Sequence, residues 1–230
     1  MQIGRVLVAQ VRSGDSYALV FALLLAALFV GIVGPDETWE RVLRDVVFAA
    51  TAVFAYWTAT TVSGFLHKRV VVPALALALV VVGAVEGATS QAVAAAGGAV
   101  LGAIVAVLVA RDLFRRGRVD MQTILGALSL YVIIGLIFAS IFAFVGDVSN
   151  GPFFASGHDG TSGEYLYFSF VTISTTGYGE LSAAGDVGRA LAVLEIVLGQ
   201  LYLVTAVAVI VTSVTRQLPR RDRELGHRGG

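Results

Sequence analysis

Near the end of an otherwise apolar chain, Thr175, Thr176, Gly177, Tyr178 and Gly179 follow one another directly, with Glu180 next. The chemistry such a run can perform belongs to its backbone. Carbonyl oxygens held rigidly in a narrow ring can replace the water stripped from a cation. Glycines at 177 and 179 allow backbone conformations forbidden to other residues, so that carbonyls can be aimed at one axis. Tyr178, between them, is placed to wedge outward and hold the strand open. The run reads as an ion selectivity filter, and such a strand needs helices to hold it at membrane depth.

The composition supplies that setting. The 230 residues are 57% hydrophobic and 14% charged, with a mean hydropathy of +0.84, which is too apolar for a soluble domain of this size. An all-α integral membrane protein is expected. The formal charge is zero and no basic block suits nucleic acid. Cysteine is absent, which excludes disulfides, iron–sulfur clusters and thiolate metal sites. His67, His158 and His227 are scattered, and no nucleophile–base pair, metal-ligand cluster or phosphate loop is present. Neither an enzyme nor a cofactor is expected.

Apolar stretches recur at about 17–33, 46–66, 70–86, 91–110, 122–145 and 187–213, each long enough to cross the hydrocarbon core as a helix. Six transmembrane helices follow. The first is read as a span and not a secretory signal, because Gly34-Pro35 and acidic residues succeed it without a small-x-small cleavage site. Every basic residue except Arg41, Arg44 and Arg189 falls on one side of this layout, which places both termini in the cytoplasm and opens the filter to the outside. Gly83 with Gly87, and Gly98 with Gly102, are spaced for close helix packing.

From Gly146 to about Gly163 the chain is rich in Gly, Ser, Asp and Pro and reads as an extracellular loop, with His158 and Asp159 solvated in it. Glu164 to Ser174 is apolar but too short to span, and reads as a re-entrant half-helix. Irregular backbone after such a helix is tolerated at membrane depth where protein or a water-filled cavity surrounds it.

The order of span, aromatic re-entrant helix, Thr-Thr-Gly-Tyr-Gly-Glu and span resembles the potassium channel pore domain over residues 122–213. The resemblance implies that the carbonyls of Thr175, Thr176, Gly177 and Tyr178, with the Thr175 hydroxyl, form successive sites for permeant K+. It implies a homotetramer too, because each chain carries one filter. Two departures stand out: Thr176 replaces the usual Val and needs a partner for its hydroxyl, and Glu180 replaces the usual Asp. Tyr167 and Phe168 stand in the pore helix where the family commonly has tryptophans, so the bracing of the filter must differ. Gly199 occupies the place of the family's inner-helix hinge, with close packing as the other reading, and Gln200 is expected to face the cavity.

Glu195 lies one turn before Gly199 on nearly the same face. An intramembrane carboxylate is either a functional lock between inner helix and pore helix or a protonated or hydrogen-bonded structural group. The fourth span, in contrast, carries no charge from Gln91 to Ala110, so no conventional voltage sensor is expected. The chain divides into a four-span accessory region at 1–120, a pore domain at 121–215 and a short basic tail at 216–230, too short for a regulatory domain. Arg115, Arg116, Arg118, Arg220, Arg221 and Arg223 are placed to meet membrane lipid, including anionic headgroups. The expected function is passive K+ conduction across the plasma membrane. The rivals are a poorly selective cation channel and a non-conducting scaffold or sensor.

Overall fold

In the computed structural model, residues 16–34, 78, 88–115 and 120–226 are described. Among them stand five helices: α1 (Ser16–Val33), α2 (Ala88–Arg115), α3 (Met121–Val148), α4 (Ser162–Ile173) and α5 (Asp186–Gly226). The spans expected at 46–66 and 70–86, apart from Ala78, lie outside the described residues. α2, α3 and α5 are each long and apolar enough to cross a membrane. α1, at 18 residues, reaches about 27 Å at 1.5 Å per residue, close to the ~30 Å hydrocarbon core.

The helices outrun the apolar stretches that announce them, because hydropathy marks the lipid-facing length while polar caps mark the ends. Asp120 starts α3, its Oδ1 accepting from the Thr123 N–H at 2.8 Å. α3 then continues to Val148, so the first residues of the expected loop are helical. The remainder of that loop is not simply solvated. Phe153 and Phe154 turn inward and are buried with Phe142, Tyr165 and Phe168. An isolated turn segment of polar composition thus carries two aromatic anchors, which a search for apolar runs passes over.

One apolar core lies between α1, α2 and α3, built on Tyr17, Val20, Leu24, Leu101, Val105, Val109, Leu130, Val132 and Ile133. Tyr17 is fully buried. Its hydroxyl donates to Asp112 Oδ2 at 2.8 Å and its N–H to Gln122 Oε1 at 3.0 Å, so the start of α1 is tied to the junction of α2 and α3. The Gly98 and Gly102 pair packs as its spacing suggests: a Cβ at 98 would lie 3.3 Å from Ser140 Oγ, and one at 102 would lie 2.7 Å from Ile137 Cγ1. Gly83 and Gly87 lie outside the described residues.

α4 sits across α3, and the seat depends on Gly135. A Cβ there would come 2.8 Å from Phe170 Cζ, closer than real contacts allow. α5 rests on the other side, presenting Gly188, Glu195 and Gly199 as its buried positions. The spacing of seven and four residues is one face of a helix. Much of the remaining surface of α5 is exposed and apolar, including Val193, Leu194, Val197, Leu201, Val204 and Val207.

Candidate functional site

α4 leads into the strand Thr175–Gly179 that the sequence marks as a candidate filter. At its N-terminus Thr161 and Glu164 form a reciprocal capping box: Glu164 N–H donates to Thr161 Oγ1 at 3.2 Å, and Thr161 N–H donates to Glu164 Oε2 at 2.8 Å. His158 reaches the same carboxylate, its Nε2 lying 3.0 Å from Glu164 Oε1, while its Nδ1 meets Ser156 Oγ at 2.9 Å. The imidazole expected to be a solvated loop residue therefore orders the loop onto the helix. Burial pushes the Glu164 carboxyl up, but the Thr161 N–H and the His158 contact outweigh it and hold the group below its ordinary value.

At the other end, the N–H groups leaving α4 turn back on it. Ser174 N–H donates to Phe170 O at 3.2 Å, Thr175 N–H to Thr172 O at 2.9 Å, and Thr176 and Gly177 N–H to Val171 O at 3.0 and 3.3 Å. Thr175, Gly177 and Gly179 then take positive φ of 59°, 53° and 93°. An extended strand sends successive carbonyls to alternate sides. Left-handed φ at every second residue instead turns successive carbonyls toward one side. Thr175 is the one non-glycine with positive φ among the described residues. For a β-branched side chain that is strained by roughly 1–3 kcal/mol, which the backbone bonds around it must overcome.

Among the described residues no donor meets the carbonyls of Thr175, Thr176, Gly177 or Tyr178. Residues 174–180 are all exposed in a single chain, Tyr178 at 71%. The Thr176 hydroxyl finds its partner in Ser174 Oγ at 2.8 Å, and Ser174 Oγ also donates to Phe170 O at 2.7 Å. Tyr167 OH donates to Glu180 Oε1, bracketing the filter from helix to exit. That bond pushes the phenol up to about 12. Phe168 points to a different surround, packing edge-on against Phe142 at 4.9 Å between ring centroids and lying near Phe153 and Phe154. Its support for α4 comes from the aromatic core behind the helix.

The strand leaving the filter is pinned to the preceding loop. Ala155 N–H donates to Ser182 O and Ala184 N–H to Phe153 O, both at 2.8 Å, and Arg189 Nε donates to Ala183 O at 3.1 Å. Behind the filter, Glu195 is fully buried against Ser169, whose Oγ lies 2.5 Å from Glu195 Oε1 and 2.7 Å from Gly135 O. Gly199 packs on the last residue of α4: a Cβ there would lie 2.6 Å from Ile173 Cγ1 and 3.0 Å from Ile173 O. The packing reading of Gly199 therefore has a contact behind it. Gln200 is exposed on the next position of α5.

Several residues of this frame escaped the sequence reading. Tyr131 OH donates to Ile173 O at 3.2 Å, and its ring stacks with Tyr202 at 6.1 Å. Tyr202 OH donates to Ala127 O at 2.5 Å. These tyrosines clamp α3, α4 and α5 below the filter. Ser169 carried a readable signal, since it lies on the helical face shared by Tyr165 and Ile173. The tyrosine pair, separated by most of the pore unit in sequence, carried none.

Compared with known families, residues 126–216 match a family model described as "Ion channel". No curated protein matches the chain. The matched segment starts within α3 and runs through α4 and the strand after it into α5. The matched family is one of channels, not of enzymes.

Proposed function

We propose that this protein is a potassium-selective channel of the cell membrane whose pore is completed by four copies of the chain. The observation that carries the reading is the strand Thr175–Gly179. It has positive φ on alternate residues and, among the described residues, carbonyls that meet no donor. Carbonyls turned to one side without donors are costly unless a cation or water meets them. One exposed strand cannot surround an ion, whereas a ring of identical chains closes by rotational symmetry. The C-terminal end of α4 lies at the base of that strand and adds a favourable dipole for a cation there.

Potassium over sodium rests on the resemblance of Thr-Thr-Gly-Tyr-Gly to the family's filter. Both departures have partners within the chain, Thr176 on Ser174 and Glu180 on Tyr167, which favours retained selectivity over the poorly selective rival. The charge distribution supports a filter facing outward with both termini inside. α2 carries no charge from Gln91 to Ala110 and so offers membrane potential nothing to move there.

Potassium and sodium flux into liposomes carrying the purified protein, with barium as blocker and Gly177→Asp as the dead-filter control, tests the proposal. Barium-sensitive potassium flux that exceeds sodium flux and vanishes in the variant is expected. Equal flux of the two ions would move the reading to the non-selective channel, and no flux from an intact tetramer would move it to the scaffold.

A further inference from the structure

Ser169, Glu195 and the Gly135 carbonyl meet where α3, α4 and α5 converge behind the filter. The Ser169 hydroxyl oxygen lies 2.7 Å from Gly135 O and 2.5 Å from Glu195 Oε1, and both side chains are fully buried. Both separations are those of O–H···O hydrogen bonds, so each gap holds a proton. A backbone carbonyl has no proton to give, and a hydroxyl has one. The Ser169 proton goes to Gly135 O, the partner that can only accept. The proton in the second gap must then come from the carboxyl group.

We propose that Glu195 is a neutral carboxylic acid that donates to Ser169, which in turn donates to Gly135 O, and that this relay makes Glu195 a positioning residue tying the inner helix to the filter helix. Among the described residues Glu195 Oε2 meets no hydrogen-bond partner. As the carbonyl oxygen of a neutral acid that is a modest cost, whereas in a carboxylate it would be a buried charge without a partner. Among the described residues no cation is paired with Glu195: Arg189, the nearest arginine along α5, meets Asp186 at 3.9 Å. Tyr131, the titratable group facing Glu195 from α3, donates its hydroxyl proton to Ile173 O.

The joint lies one turn from the contact of Gly199 with Ile173, two residues before Thr175. Motion of α5 at this level therefore displaces the end of α4, and with it the first filter carbonyl, unless the relay breaks. The consequence for conduction rests on the channel reading. The bond pattern does not.

Infrared difference spectra of the full-length protein in lipid, wild type against Glu195→Gln, test the protonation directly. A protonated-carboxyl C=O stretch present at neutral pH, absent in Glu195→Gln and shifted in Ser169→Ala is expected. Absence of that acid band, or a band indifferent to Ser169→Ala, overturns the proposal. In the flux assay, Glu195→Gln keeps a donor and should hold the potassium-to-sodium ratio within about twofold, while Glu195→Ala and Ser169→Ala should lower it about tenfold. A Gln variant as impaired as the Ala variant overturns the positioning role. Should Glu195→Ala fail to assemble, Ser169→Ala against Glu195→Gln carries the comparison. A wild type without flux defeats the channel reading and leaves the acid band to decide the relay.

Discussion

The two ends of α4 are held in opposite ways. Its N-terminus is enclosed by its own chain, through the capping box, the His158 contact and the rings of Phe153, Phe154 and Tyr165. Its C-terminus passes into seven consecutive exposed residues, of which Thr175, Gly177 and Gly179 take left-handed φ. The enclosed end spends apolar area and side-chain hydrogen bonds on rigidity. At the open end the N–H groups of residues 174–177 turn back on α4, while the carbonyls of residues 175–178 meet no donor among the described residues. One chain thus builds an enclosed mount and an exposed strand, the arrangement expected on the proposed four-chain pore.

The comparison breaks most completely at Gly177. Gly177→Ala places a Cβ at a φ of +53°, at a cost of roughly 1–2 kcal/mol per chain. On the proposed four-chain pore, strain in any one strand disturbs carbonyl sites shared by all four, so potassium flux should be abolished while the assembled protein survives size-exclusion chromatography. Loss of assembly along with flux would show that the open end is structural and not reserved for the ion.

At the enclosed end, Phe142→Ala empties the centre of the aromatic cluster, since Phe142 is fully buried. Truncation of a buried phenylalanine costs about 3–5 kcal/mol. Thermal unfolding in mild detergent should fall markedly, with ion discrimination in the surviving protein unchanged. A smaller effect follows from Thr161→Ala, which removes the cap and should cost about 1 kcal/mol in the same measurement.

The pH dependences sharpen the contrast further. Glu164 has its folded value below the ordinary 4.5, so its contribution to stability is complete above 4.5 and is lost as pH falls through the folded value. Glu164→Gln should flatten the acid limb of an unfolding-temperature profile. Tyr167 has the reverse sign: its phenol is raised from 10.0 to about 12 by the bond to Glu180, so that contribution is complete below 10 and fades as pH rises through about 12. Ultraviolet titration of wild type against Tyr167→Phe should assign one tyrosine near 12. A difference spectrum titrating near 10 would detach Tyr167 from Glu180.

Much of the scaffold was legible in the residues. Apolar runs at 17–33, 91–110, 122–145 and 187–213 all fall within observed helices, and the short aromatic segment beginning at Glu164 forms α4. Their ends were less legible, because Asp120 and Thr161 define starts through local hydrogen bonds that hydropathy does not register. Phe153 and Phe154 were hidden inside a polar loop, and their burial depends on rings contributed by α3 and α4. His158 looked solvated for the same reason, since its partner Glu164 becomes adjacent only when the loop folds back.

Residue types alone marked this chain as membrane-embedded and excluded cysteine chemistry. Those conclusions follow from composition and from neighbours in sequence, which act before any folding. Tertiary structure decided that Thr176 pairs with Ser174 and Tyr167 with Glu180, and that Glu195 meets Ser169 and the Gly135 carbonyl. It also decided that Gly199 is a seat for Ile173. Each of the longer contacts needs helices brought to within a single hydrogen bond or van der Waals distance, and that approach is set by packing across the whole unit, which no local pattern encodes.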